Sequence, residues 1–421
     1  MKKYLFIALA SMTVCVAACS KQDAQSAAPL EPWVLDETLP VPIQFSQGDL
    51  FSVQTRAGDT EPITDVDDAV FAVLAVPKVS HSSTAAADFA AVTDLKQLPL
   101  KGVKAQSASG TVKFYDGSDE RTYYYPQQGS NETRIDYSFY AYRTAADGAT
   151  SPVAALEDSH LKTHADFTLE PVSHNIDVLW SKSAATMRTY STVDYYGFNA
   201  EYIRRITANS EFTTYQPKLQ FSHSAACLKF VIKAENAAAE DALAKGATDN
   251  YDFKVRNLKI KGLYTDVTLD LTNGQLTPAA LATPSTSFVH VVDGGKTISP
   301  IEETPSEPYG YVFIAPGKNS ASLDLSDTDY AYTPLRSTAV EIEFQTLAKD
   351  ADGDTDEYWV TKTATLPYPK YLSTDYGAYL HGVCYTYNII VKSPVAIEIK
   401  AAVTSFTDFG GSYLGGVVSI D

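Results

Sequence analysis

From residue 41 onward, apolar positions recur every second residue in short runs, and turn-forming residues separate the runs. Val41, Ile43 and Phe45 alternate with polar or turn residues, and Phe51 and Val53 resume the alternation after Gly48 and Asp49. A period of two places these side chains on one face. It predicts a strand over 41–53 with a bend or bulge at Gly48 and Asp49. The strand runs out at Thr55, Arg56 and Ala57, and an acidic polar stretch, GDTEP, follows. An arginine between a strand and a loop is accessible to an arginine-specific protease, so this first strand can be read as one that is cut away. The plainer reading is a solvated charge at the end of an edge strand, and the residues alone favour it.

The continuous apolar run at 69–76 predicts a buried strand, and further strand signals stand at 111–115, 122–126, 135–142, 164–170 and 176–180. Asp116, Gly117, Ser118 and Asp119 join 111–115 to 122–126 as a hairpin. Residues 84–95 can hold one short helix. Residues 181–215 show little alternation and several small residues, and read as a connection between domains. Strand signals resume at 218–221 and 227–232. ENAAAEDALAK at 235–245 is built of good helix formers. The runs VRNLKIKGLY, DVTLDLTNGQL, YVFIAPG, AVEIEFQTL, YWVTKTATL, YTYNIIVK and VAIEIKAAV complete the chain. Short strands at this spacing predict an all-β protein of antiparallel sandwiches. YSFYA at 137–141 returns as YVFIA at 311–315, which fits two copies of one sandwich, over 41–205 and 206–421.

The N-terminus changes the picture from a plain globular chain to an exported one. Lys2 and Lys3 precede an apolar run over residues 4–16 that is too short to span a bilayer. Val16, Ala17 and Ala18 then lead into Cys19. Small residues before such a cysteine resemble the lipobox of bacterial lipoproteins. Residues 1–18 are therefore expected as a signal peptide, Cys19 as the lipidated residue, and residues 19–40 as a polar tether holding the domains off the membrane. The net charge of −18 repels phosphate backbones and argues against nucleic-acid partners. Beyond Cys15 and Cys19, only Cys227 and Cys384 remain, both in strand-like runs. In a compartment that permits disulfides they can bridge, although two buried thiols are the favoured reading.

Candidate chemistry is sparse. The chain has no GxSxG, HExxH or phosphate-cradling glycine loop, so no catalytic residues, cofactor or metal are assigned. His160 and His164 stand four apart beside Glu157, Asp158 and Asp166, but the flanking residues read as loop and strand rather than as a ligand-bearing helix. Alternating aspartates at 350–356 resemble a calcium loop, yet Gly353 falls at its fourth position rather than its sixth. A solvated hairpin tip is favoured. Tyr123, Tyr124, Tyr125, Tyr195, Tyr196, Tyr358 and Trp359 can stack on sugars or, more ordinarily, pack across strands.

Several segments together resemble the fimbrillin family of Bacteroidota, the type V pilins. They are the lipobox, the strand ending in Thr55, Arg56 and Ala57, IDYSFYAYRTAADG, NIDVLWSKS, LQFSHSAACLKFVI and LYTDVTLDLTNGQL, in that order. Val16 stands where the lipobox commonly has leucine. The family's frequent late tryptophan is replaced, with Phe406 and Phe409 as candidates. The resemblance implies two transthyretin-like β-sandwiches and export through the lipoprotein machinery to the outer membrane and cell surface. It implies cleavage between Arg56 and Ala57 by an arginine-specific protease. Loss of the first strand, with Val41, Ile43, Phe45, Phe51 and Val53, would open a groove. The C-terminal strand of another pilus subunit would fill it, and here Val395, Ile397, Ile399 and Val403 supply the alternating donor. A surface glycan-binding lipoprotein with tandem sandwiches is the alternative, and an enzyme is the remote one. Cys19→Ala should release the protein from the membrane fraction or leave it unprocessed. Unchanged attachment and palmitate labelling of that variant would contradict lipidation at Cys19.

Overall fold

The computed structural model describes residues 30–47, 69–80, 86–108, 111–126, 135–144, 155–169, 176–245, 253–316, 340–349, 357–366, 379, 382–393, 396–405 and 417–420. The protein is all-β, with short helices between sheets. Two neighbouring strands organise the first half. Val70–Pro77 is buried along nearly its whole length, and Tyr137–Arg143 is buried throughout. The continuous apolar sequence of Val70–Pro77 follows from a sheet covered on both faces. Phe71, Val73, Ala75, Phe139 and Ala141 point into one core. Ala72, Leu74, Val76, Tyr140 and Tyr142 point into another.

The sheet around them runs Lys218–Leu219, Ser46–Gln47, Thr111–Asp116, Lys101–Ala108, Val70–Pro77, Tyr137–Arg143, Leu179–Ser183 and Phe221–His223. All neighbours are antiparallel except Ser46–Gln47 and Lys218–Leu219. One run of chain, 218–223, thus serves both ends of the sheet, which curls to allow it. Asp119–Arg121 pairs back on Thr111–Asp116, so the expected hairpin turns at Gly117 and Ser118, and its return strand ends at Arg121. Residues 123–125 leave it for a different partner, described below.

Residues 181–215 are not an open connection. Arg188–Tyr190 and Val193–Tyr195 pair with each other, and the helix Ala200–Ala208 lies against the first core with Tyr202, Ile203 and Ile206 buried. Asn199 fixes the start of that helix. Its side-chain oxygen accepts from the Tyr202 N–H at 2.8 Å, and its amide donates to Asp136 at 2.7 Å. Such a cap satisfies one of the otherwise unpaired donors of the first turn. The helix expected within 84–95 is absent from residues 86–94, and only a short 3-10 turn, Leu95–Gln97, is present. Asp88 and Asp94 explain this, because their carboxylates bind the N–H groups of Ala90, Ala91 and Lys96 and hold local turns instead.

The second half is a sandwich. One sheet runs Gly310–Ile314, Ala226–Ala234, Val383–Ser393, Ala396–Ser405, Val417–Ile420. The other runs Val289–His290, Val255–Lys261, Glu341–Lys349, Glu357–Thr365. Leu228, Phe230, Tyr387, Ile389, Ile397 and Ile399 meet Val255, Leu258, Ile260, Ile342 and Phe344 between them. The expected helix at 235–245 is present as Ala237–Lys245. The two YxFxA-like runs hold related places. Tyr137–Arg143 is antiparallel to Val70–Pro77, and Gly310–Ile314 is antiparallel to Ala226–Ala234.

The halves share a sheet. His164–Thr168 of the first pairs with Asp266–Asp270 of the second, which pairs with Leu276–Pro278. Val267, Leu269, Leu271 and Leu276 of that hairpin cover the second face of the first sheet. Trp180 locks the contact. Its indole N–H donates to the Leu271 carbonyl at 2.9 Å, and its ring lies where a Cβ on Gly274 would come within 2.6 Å. Gly274 also has φ +78, in the left-handed region. Gly274→Ala should therefore destabilise the protein by about 1–3 kcal/mol or more, through strain and collision together. Gly117→Ala, at φ +65 with open space around it, should cost only the backbone strain. Urea midpoints of the two variants compare them, and equal losses would remove Trp180 from the account.

Candidate functional site

Three of the five residues that the sequence assigned to a removable strand come together at the open side of the first core. Val41, Ile43 and Phe45 are all buried there. Their backbone is paired as a strand even where the run is too short to be a regular one. The Ile43 N–H donates to the Tyr123 carbonyl at 2.8 Å, and the Tyr125 N–H donates to the Val41 carbonyl at 3.0 Å. Ser46 continues the ladder against Thr111, and Ser46–Gln47 pairs on its other edge with Lys218–Leu219. Residues 41–47 thus close a gap in the first sheet. This pairing is also why 123–125 do not extend the hairpin.

Side chains fit the strand to its groove. The Phe45 ring meets Phe139 edge-on at 4.8 Å and Phe114 at 5.9 Å. Aromatic pairs of this geometry add to the gain from burial. Tyr125 lines the groove fully buried, without a hydrogen-bond partner for its hydroxyl. Burial, with Tyr202 adding to it, pushes that phenol well above its ordinary pKa, so it stays neutral.

The chain before the strand is also held, which corrects the expectation of a free tether as far as residue 40. Residues 30–40 dock on the first half, with a short helix Pro32–Leu35 and a buried Val34. Arg204, buried on helix Ala200–Ala208, donates to the carbonyls of Asp36 at 2.7 Å, Glu37 at 3.4 Å and Leu39. Burial lowers its pKa, while Glu37 and Asp36 oppose that shift. The sequence reading missed this clamp because it missed the helix. Asn199 followed by apolar positions 202, 203 and 206 was the signal that could have found it.

Cys19, Phe51, Val53, Arg56, Ala57 and Val395 lie outside the described residues. Ile397 and Ile399 are buried in the second core, and their strand, Ala396–Ser405, is interior to its own sheet. Ile399 faces Ile389 on one side and Val418 on the other, and the backbone of Val403 pairs with Tyr385. The strand expected as a donor is thus a structural strand of its own sheet, whose edges are Gly310–Ile314 and Val417–Ile420.

The remaining candidates have ordinary places. His164 lies 3.8 Å from Glu157 and 3.5 Å from Asp166, which also accepts from Lys162 and Thr268. Among the described residues, no cluster of three metal-ligating side chains forms. Tyr123 packs edge-on against Phe114, Tyr195 packs against Tyr190, and the Arg256 guanidinium sits 3.7 Å from the Trp359 ring centroid. Tyr124 and Tyr358 are exposed. No described helix is long and apolar enough to cross a membrane.

No family model matches the chain, and no curated protein matches it. Among solved structures, a candidate cell adhesion protein from Bacteroides uniformis is 15% identical. The match covers 88% of this chain and 100% of that one, with a TM-score of 0.39. Another, from Bacteroides ovatus, is 14% identical over 88% of this chain and 98% of its own, with a TM-score of 0.41. A fimbrilin from Porphyromonas gingivalis is 9% identical over 91% of this chain and 98% of its own, with a TM-score of 0.34.

Phe45→Ala should cost about 3–5 kcal/mol in chemical denaturation, because it empties the groove where three rings meet. Tyr124→Ala, one strand away and exposed, should change stability by no more than about 0.5 kcal/mol. A small effect of the Phe45 change would mean that the strand does not hold the first core.

Proposed function

We propose that the protein is a fimbrial subunit that assembles by strand exchange and serves in surface adhesion. It is exported as a precursor lipidated at Cys19, and cleavage between Arg56 and Ala57 by an arginine-specific protease prepares it for assembly. The observation that carries the reading is the strand at 41–47. It fills a gap between strands and buries three alternating apolar side chains, and in the sequence it ends nine residues before Arg56.

Cutting the chain does not by itself expel such a strand. Val41, Ile43 and Phe45 contribute roughly 1.5–3 kcal/mol each through burial, and the ladder bonds and the Arg204 clamp add to that. An incoming strand must bury similar groups and pair with the same edges. The alternating run with Val395, Ile397, Ile399 and Val403 from another subunit meets the first requirement, and strand addition meets the second. Because lipid stays with the excised segment, cleavage also frees the subunit from its membrane anchor.

The donor's place bears on the test. Deleting Ala396–Ser405 removes Ile397 and Ile399 from the second core, so it reports folding as much as assembly. The cleavage site offers a cleaner variant. Arg56→Ala should leave a folded, lipidated monomer, while wild-type protein exposed to the protease forms polymers that survive as a ladder on unboiled gels. Normal polymer formation by Arg56→Ala would overturn cleavage-dependent exchange. Retardation of the monomer by polysaccharide in native gels would then favour the glycan-binding alternative.

A further inference from the structure

We propose that Cys227 and Cys384 form a disulfide when the chain folds under oxidising conditions, stapling the first strand of the second half to its parallel neighbour. The two residues are direct partners in the ladder between Ala226–Ala234 and Val383–Ser393. Directly opposed residues of adjacent strands have Cα atoms about 5 Å apart, within the span of roughly 4.4–6.8 Å that a disulfide bridges. Both side chains emerge on the same face, into the cluster shared with Phe313, Ala315 and the first half. Residues on the opposite face, Leu228 and Tyr385, go to the other core. The structure carries both cysteines as thiols, and the two are hydrogen-bonded to one another.

Burial decides when the bond forms. Desolvation pushes the Cys227 thiol well above its ordinary range, with the Cys384 hydrogen bond adding to the shift. A thiol of this kind yields little thiolate and is inert once enclosed. Oxidation therefore belongs to the folding stage, before the cluster closes. The thiolate of Cys227 attacks a small-molecule or protein disulfide, forms a mixed disulfide and releases one thiol of the oxidant. The thiolate of Cys384 then attacks the Cys227 sulfur and releases the second. Two electrons and two protons leave the cysteine pair, and the oxidant's disulfide becomes two thiols.

The bond has a mechanical use that rests on the proposed function, although its formation does not. Val383–Ser393 runs directly into the strand Ala396–Ser405 that would be donated. When that strand leaves, Val383–Ser393 loses the neighbour on one side. A Cys227–Cys384 bond ties that remaining strand covalently to Ala226–Ala234, at the end of the ladder that faces Thr404.

The test uses the full chain carrying Cys15→Ser and Cys19→Ser, refolded from denaturant in a glutathione redox buffer. The expected result is that no thiol titrates when the protein is denatured again without reductant. Peptide mapping recovers one linked pair, containing Cys227 and Cys384. Reduction then exposes two thiols and lowers Tm by about 5 °C or more, because the closed loop takes in most of the second half. Titration of both thiols after oxidative refolding overturns the proposal, as does a linkage found only between chains. Neither result depends on polymerisation, so failure here is distinct from failure of the assembly reading. Comparing oxidised and reduced forms of one chain also avoids relying on a buried substitution that fails to fold.

Discussion

Val41, Ile43 and Phe45 complete the first core from its N-terminal side, and the strand that carries them is bonded to 123–125 and Thr111 on one edge and, at Ser46–Gln47, to Lys218–Leu219 on the other. The rest of the first half depends on that occupancy. Without the strand, Tyr123, Tyr125, Thr111 and Lys218–Leu219 face a vacancy with unpaired backbone groups. Phe114 and Phe139 lose a ring, and Arg204 loses the carbonyls it binds. Each of these is costly in an apolar groove, and a buried arginine without acceptors most of all. The physical demand is for a strand with alternating apolar side chains, and the source of that strand is not part of the demand. The proposed strand exchange would make use of that indifference.

The second half presents the complementary situation. Ala396–Ser405 is an interior strand whose Ile397 and Ile399 complete a sandwich, and a short edge strand, Val417–Ile420, covers its outer side. Donating it, as proposed, would give up one core to complete another. The first sheet would keep its second face covered, because the hairpin built on Asp266–Asp270 and the Trp180 contact hold the halves together without residues 41–47 or Ala396–Ser405.

Much of this was legible in the sequence. Alternation marked the strand expected over 41–53, of which 41–47 are described and paired, the apolar run at 69–76 marked a buried strand, and the ENAAAEDALAK helix followed from propensity. Two motifs quoted for the family resemblance, NIDVLWSKS and LYTDVTLDLTNGQL, turn out to touch. Trp180 of the first packs on Gly274 of the second. What the sequence did not reveal was set by partners distant along the chain. Residues 181–215 look featureless because their apolar positions are short and local, yet Tyr202, Ile203 and Ile206 form one face of a capped helix. The tail of the expected hairpin, 123–125, pairs with a strand eighty residues earlier. The aspartates that prevent a helix at 86–94 act through side-chain bonds that compete with it. Even the Arg204 clamp rests on carbonyls, which carry no signature in sequence.

The N-terminal residue of subunits isolated from assembled polymers tests the central claim most directly. If exchange at this groove builds the polymer, sequencing should begin at Ala57, with no peptide from residues 41–47 retained. Polymers whose subunits still begin at Cys19, with residues 41–47 present, would contradict it.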